Sequence, residues 1–416
     1  MENYITKVHA KNIGIFEQLD ISFNKKFNFI VGPNGSGKTS ILKCIALALA
    51  PNDSRNLRYG EQSSVWFDAV SNDQKYRIGL GEGWVKDNTE YRQGQLTNYM
   101  APPQVDDLTA MTVFTLEQNN INITPLALGA YRRIEYKKID GTHSEPNLSE
   151  YRKQCHRQTL KNIEGGSLPN VKQWLINRYY QIDKEWAGVY KRNWDWILHN
   201  LNTIGPSNCS ITFKHIKRDH EPMFTLNGVD CYLEETSAGF QAVLSLVFAI
   251  VEWIESSNDE SHAYVADATG TVIIDELDVH LHPEWQLTIR HSLATLFPKL
   301  QFIITTHSPH LISSAEAGEL IILPALSRNV TVQPTTRKFS GWKTDEILEE
   351  IMGVTNLSNK DYYSLLNQAM YYAEQKNTEE LKATIAQLEE IAHPSNTIIH
   401  VLKIKQAQLE LEDGND

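Results

Sequence analysis

The stretch that most constrains this chain is Phe27 to Thr39, FNFIVGPNGSGKT, where an apolar run ends in a glycine-rich loop and opens onto a helix-forming segment, Ser40 to Ala50. Gly32, Pro33, Asn34, Gly35, Ser36, Gly37, Lys38 and Thr39 fit the pattern G-x-x-x-x-G-K-[ST], in which each fixed residue type has a physical task. The glycines admit positive φ and let successive backbone N–H groups converge on the β- and γ-phosphates of a nucleotide. Lys38 brings a point positive charge, and Thr39 offers a hydroxyl to Mg²⁺. A helix that starts there aims the positive end of its dipole at the same phosphates. Chance produces such a pattern in on the order of one per cent of chains this long. Here FNFIV reads as a buried strand and SILKCIALALA as an amphipathic helix, the strand–loop–helix setting that the motif requires.

A second cluster lies far down the chain. Val272 to Asp275 reads as a buried strand ending in two adjacent carboxylates. Asp275 at that strand end can hold Mg²⁺, directly or through water, and Glu276 is placed to orient or deprotonate an attacking water. LQFIITTHSPHLI is another apolar strand, and its end brings His307 to the edge where open α/β sheets bind ligands. Between the two clusters, Ser237 and Gly239 open the apolar helix AVLSLVFAIVEWI and offer an anion a hydroxyl and free N–H groups, although a serine at a helix start usually only caps.

Composition narrows the class. With 416 residues, 41% of them hydrophobic, the chain has room for two or three domains or one large α/β domain with insertions. The longest apolar stretch, Ala242 to Ile254, is interrupted by Glu252 and reads as too short to cross a bilayer, and the N-terminus has no signal-peptide core. The four cysteines form no C-x-x-C pair, which favours a reducing, cytoplasmic setting. A net charge of −12 argues against coating nucleic acid by bulk electrostatics. From Tyr131 to Lys161 eight basic residues face four acidic ones, a pattern that suits a nucleic-acid groove and a solvated charged face about equally.

Residues 3–31 alternate as short strands expected to build the sheet that presents the loop. VWFDAV and YRIGLGEGWV read as an antiparallel pair after the turn-rich stretch 51–64, and ITPLALGAYRR as a further strand. From 133 to 205 the pattern becomes aromatic helices, in which Trp174, Trp186, Trp194 and Trp196 suit a core better than a base-stacking surface. CSITFKHIKR and PMFTLNGVDCYL then read as strands returning to the sheet. The end of the chain carries amphipathic helices with Leu366, Ala369, Met370 and Ala373, then Leu381, Ile385, Leu388 and Ala392, at helical spacing. The expected divisions are 1–132 and 206–335 for the two parts of the core, 133–205 for a helical insertion and 336–416 for a helical tail.

In this order, GPNGSGKT, TSAGFQ, IIDELDVHLHP and TTHSPHL resemble the ATP-binding-cassette ATPases of the RecF, SMC and OLD branch over about residues 1–330. The resemblance implies an α/β P-loop NTPase with an ABC-ATPase head that binds ATP and Mg²⁺, the metal on Thr39 and Asp275, with Glu276 and His307 catalytic. It implies that Ser237, Gly239 and Gln241 touch the γ-phosphate of ATP held by the opposite protomer, which makes a homodimer or higher homo-oligomer. Thr236 stands where that signature has leucine, and Ala238 and Phe240 flank Gly239. Asp278 matches the family's D-loop aspartate, and Gln118 in TLEQNN is the candidate for its Q-loop glutamine. The 198 residues from Thr39 to Ser237 leave no room for a long coiled coil, and about 100 residues after His307 are too few for a Toprim nuclease domain. The tail makes the chain similar to ATPase subunits of bacterial anti-phage systems such as Septu and some retrons, which implies a partner nuclease of HNH type and no membrane. The rival expectations are a RecF-like DNA-repair ATPase that binds nucleic acid itself, and a scaffold that binds nucleotide without turnover.

Overall fold

The computed structural model describes residues 2–52, 57–60, 62–85, 98–105, 107–132, 134, 136–165, 171–206, 209–354, 360–394 and 396–413. Arg133 of the basic run and residues 53–56 of the turn-rich stretch therefore lie outside the described residues. The chain divides into two compact units, Met1–Gly353 and Val354–Asp416. Residues 336–353, grouped with the tail by sequence, belong to the larger unit.

Five short strands form a parallel sheet in the order β13-β3-β12-β11-β7: β3 (Phe27–Val31), β7 (Leu126–Leu128), β11 (Thr271–Ile274), β12 (Gln301–Thr305) and β13 (Leu320–Ile322). Every residue of β3, β7, β11 and β12 is buried, which suits a sheet covered on both faces. Since β12 sits between β3 and β11, the loops that follow these three strands open side by side at one sheet edge. The strand at ITPLALGAYRR is only the three residues of β7, because its continuation turns away at Gly129.

A second sheet runs β14-β2-β1-β4-β5-β6, from β1 (Asn3–Ile13), β2 (Phe16–Ser22), β4 (Ser64–Ser71), β5 (Gln74–Leu80), β6 (Thr109–Met111) and β14 (Asn329–Val332). The pair β4–β5 is antiparallel as expected. Residues 3–31 do not form one sheet: β1 and β2 belong here and only β3 to the parallel sheet. The reason is periodicity. In β1, Val8 and Ala10 are buried while Lys7, His9 and Lys11 line the wetter face, whereas all five residues of β3 are buried. Helix α1 (Lys38–Leu49) lies between the sheets, and Ile41, Leu42 and Ile45 join Val8, Phe67 and Ile78 on one side and Ile30 and Ile303 on the other in a single core.

The strands expected to return to the sheet instead make their own antiparallel sheet, β10-β9-β8, from β8 (Ile211–Ile216), β9 (Pro222–Leu226) and β10 (Val229–Tyr232). An Asn227-Gly228 turn with φ of 49° and 82° closes β9 on β10, which satisfies these strands locally. Against it pack α4 (Val171–Gln181), α5 (Gly188–Asn200) and α6 (Ala238–Ser257), with Trp194 5.1 Å from Phe213 and Trp174 5.6 Å from Phe248. Trp174 and Trp194 are thus core residues, while Trp186 is exposed. Helix α6 has 20 residues, long and apolar enough to span a bilayer, contrary to the reading that Glu252 cuts the stretch short. Its most apolar window is 83% buried in the fold, as a core helix requires.

The larger unit is completed by α2 (Val113–Gln118), α3 (Leu148–Ile163), α7 (Pro283–Leu296), α8 (Pro309–Ser314) and α9 (Thr344–Glu350). The smaller unit is three helices, α10 (Lys360–Glu374), α11 (Thr378–Ile391) and α12 (Thr397–Asp413). Leu366 and Ala369 of α10 meet Leu381, Ile385 and Leu388 of α11 and Ile399, Leu402 and Leu409 of α12. Met370, expected on the apolar face, is 51% exposed, because α12 fills the space beside Ala369 and Leu366 instead.

Candidate active site

The phosphate loop stands between β3 and α1 with Asn34 and Gly35 exposed at its tip. Gly37 takes φ 93° as the residue before the helix, and a Cβ there would come within 2.6 Å of Ile15 Cδ1 and Phe16 Cζ. Only glycine fits. Lys38 folds back so that its ammonium donates to Gly32 O at 3.0 Å and Pro33 O at 3.1 Å. Burial pushes its pKa down, against the pull of Glu276, Asp278 and Asp275. The hydroxyl of Ser36 is buried in this loop with no hydrogen-bond partner among the described residues. A cationic side chain, free N–H groups at a helix start and an unsatisfied buried hydroxyl fit a nucleotide's phosphates.

The carboxylates come to the loop from the neighbouring strands. Thr39 Oγ1 donates to Asp275 at 3.0 and 3.1 Å, and Thr305 Oγ1 at the end of β12 donates to the same carboxylate at 2.6 Å. Hydroxyl and carboxylate oxygens held together are hard ligands of the kind Mg²⁺ takes. Glu276 has φ 50°, uncommon for a non-glycine residue, and its N–H donates to Thr305 Oγ1 at 2.8 Å. Its side chain is partly exposed and none of the described side chains hydrogen-bonds its carboxylate. Asp278 accepts from Thr306 Oγ1 at 2.6 Å and from the His307 N–H at 3.1 Å, so within one chain it pins the end of β12. Burial and the nearby Lys38 hold the His307 imidazole below its ordinary pKa.

Ser237 is exposed at the start of α6 and its side chain caps the Phe240 N–H. A Cβ on Gly239 would lie 2.9 Å from His280 O, so this turn rests against the segment that follows Glu276. Gln241 departs from expectation. It is buried, and its amide donates to Glu234 O and Thr236 O at 2.9 Å each, which makes it a brace for its own turn and not a group presented at the surface. Lys172 of α4 adds a second brace through Glu234 at 2.7 Å and Glu221 at 2.5 Å.

Gln118 is not brought to the loop. It ends α2, whose Phe114 and Glu117 line a cavity of about 270 Å³ with Leu49 and Ala50 at the far end of α1. A helix of 12 residues separates that end from the phosphate loop by roughly 18 Å. Sequence reasoning missed Thr305, Thr306 and Arg132. Arg132 is 1% exposed and donates to Gly129 O and Asp275 O at 2.8 Å and to Glu276 O at 2.6 Å. Burial pushes its pKa down to about 10, still cationic at neutral pH. Its position four residues after β7, the strand beside β11, is the one signal that could have found it.

A family model described as an AAA domain matches residues 7–221, more than half of the chain, and one described as an AAA ATPase domain matches residues 135–312. The chain is similar to the Septu protein PtuA of Bacillus thuringiensis, 28% identical over 416 residues that cover 97% of this chain and 98% of the relative. It is similar to the retron Ec83 probable ATPase of Escherichia coli, 25% identical over 69% of this chain and about half, 51%, of that relative's length. Among solved structures, the SMC head domain of Thermotoga maritima superposes with a TM-score of 0.44 at 16% identity, over 80% of this chain and 99% of that one.

Proposed function

The chain belongs to the AAA-domain ATPases of the type found in SMC, RecF and OLD proteins, and on that premise we propose that it is a nucleotide-controlled switch in anti-phage defence, governing a nuclease carried by another chain. The observation that carries this reading is that Asp275, Glu276 and His307, from the loops after β11 and β12, lie at the same sheet edge as Thr39, which opens the helix after β3. The loop N–H groups and Lys38 hold the β- and γ-phosphates of ATP, and Thr39 with Asp275 holds Mg²⁺. The metal supplies charge neutralisation on the transferring phosphoryl group. Glu276, whose carboxylate has no competing partner among the described side chains, orients and deprotonates the attacking water. His307 reaches the γ-phosphate from β12. The exposed Ser237, with Gly239, completes the site of a second copy, so that ATP closes a homodimer, and Gln241 acts inside its own turn to shape that contact.

The full-length similarity to a Septu protein supports the defence setting, and the cytoplasmic location and the HNH-type nuclease partner are proposed from the family resemblance of the sequence motifs and tail. A repair ATPase that grips DNA along residues 131–161 draws less support, since Arg132 and Arg152 of that run are buried. The test is expression of the native operon with Glu276→Gln. The proposal expects ATP-bound complexes that accumulate with the nuclease attached and lose protection against phage. Protection at the wild-type level would defeat it.

A further inference from the structure

Glu276 is held in its left-handed conformation from two sides. On one side Thr305 of β12 accepts from the Glu276 N–H at 2.8 Å, and Thr305 O accepts from the Leu277 N–H at 3.1 Å. On the other side, across β11, the buried guanidinium of Arg132 grips the carbonyls of Asp275 and Glu276 at 2.8 and 2.6 Å. A guanidinium is a rigid planar fork, so these bonds fix the orientation of the turn as well as its place. The fork is itself anchored. Its third bond goes to Gly129 O, and Gly129 lies so close to the end of α3 that a Cβ would sit 2.2 Å from Asn162 O. The end of α3 is tied in turn to α1 by the Lys43–Glu164 ion pair at 2.8 Å. All three hydrogen bonds of Arg132 go to backbone carbonyls, while the carboxylates of Asp275 and Asp278 take theirs from threonine hydroxyls and the His307 N–H, so Arg132 holds the turn through its main chain and its charge faces Asp278, Asp275 and Glu276 without a direct bond to them.

We propose that Arg132 is a positioning residue for hydrolysis, which acts through the backbone of Asp275 and Glu276 to aim the Glu276 carboxylate, with its anchor on Gly129 tying that aim to the end of α3. The proposal rests on Glu276 being the base. A base displaced by an ångström loses about 10²-fold in rate, while the groups that bind the phosphates stay in place.

The experiment is a double-mutant cycle on the full chain, with single-turnover ATP hydrolysis and nucleotide affinity measured for Arg132→Met, Arg132→Lys, Glu276→Gln and the combinations. Arg132→Met is expected to lower kcat by about 10²-fold with KM for ATP changed less than about 3-fold, and Arg132→Lys to recover part of the loss. In the Glu276→Gln background the same substitutions should cost less than about 2-fold, because the group being aimed is already gone. If the methionine variant fails to bind nucleotide, the lysine variant is read by the same criteria. An equal loss in both backgrounds, or an unchanged kcat, overturns the role of Arg132 while leaving Glu276 as the base. Wild-type turnover in Glu276→Gln overturns the base assignment and this proposal with it.

Discussion

At the scale of single residues the site rests on a few contacts that mutation can address one at a time. On the proposed reading Lys38→Ala removes the loop ammonium that meets the phosphates, and isothermal titration should find nucleotide affinity lost, with binding at the wild-type level contradicting the assignment of the loop. Glu276→Gln should still bind ATP and hydrolyse it roughly 10²–10⁴-fold more slowly. A different residue sets a pH dependence of stability. Burial, with Glu145 adding to it, pushes the Glu252 carboxyl up to about 7, and its Oε2 finds no partner among the described residues. The folded chain then holds this proton more tightly than the unfolded one. Its contribution, on the order of 3 kcal/mol, is present below the ordinary glutamate pKa and is lost as pH rises toward 7. Glu252→Gln should therefore gain melting temperature over the wild type at pH 8 and not at pH 4.5, and equal gains at both would refute the shift. Legibility at this scale followed mechanism. Asp275, Glu276 and His307 could be read because a strand end beside a phosphate loop gives few other reasons for those side chains. Arg132 reads as one cation in a basic run, because only its place four residues after β7 sets it apart and two of its three carbonyl partners lie about 140 residues away.

At the scale of elements, periodicity separated strand classes only where each strand was weighed by itself. FNFIV and TVII announce a doubly covered sheet, but the wet face of β1 was equally written in Lys7, His9 and Lys11 and places that strand elsewhere. The Asn227-Gly228 pair likewise marks a closed hairpin rather than a return to the main sheet. Helix α6 is mostly core, but its N-cap Ser237 is exposed, and the proposed shared site makes that residue the one to test at this scale. Ser237→Arg should leave ATP affinity of the single chain near normal and block ATP-driven association and hydrolysis, as judged by light scattering and phosphate release. Mixed with Lys38→Ala chains, it should regain up to one working site per heterodimer. Demonstrated heterodimers that stay inactive would count against a shared site.

At the scale of the molecule, the division at Gly353 makes the last three helices a unit with its own core. Deleting residues 358–416 removes that unit and none of the ATP-site residues. Nucleotide binding should survive, and protection from phage should fail through loss of the nuclease or of the oligomer. Full protection with unchanged mass on a sizing column would show the tail to be dispensable. The order of the parallel sheet has another consequence, for how the protein is made. Strand β3 is made about 270 residues before β12 and about 290 before β13, the two strands that flank it. At about 5–20 residues per second that is a wait of roughly 15–55 s with both edges of an apolar strand unpaired. A chain that stops before Gln301 has the loop sequence but neither neighbour of β3, and it is expected not to bind nucleotide; wild-type affinity in such a truncation would contradict this consequence.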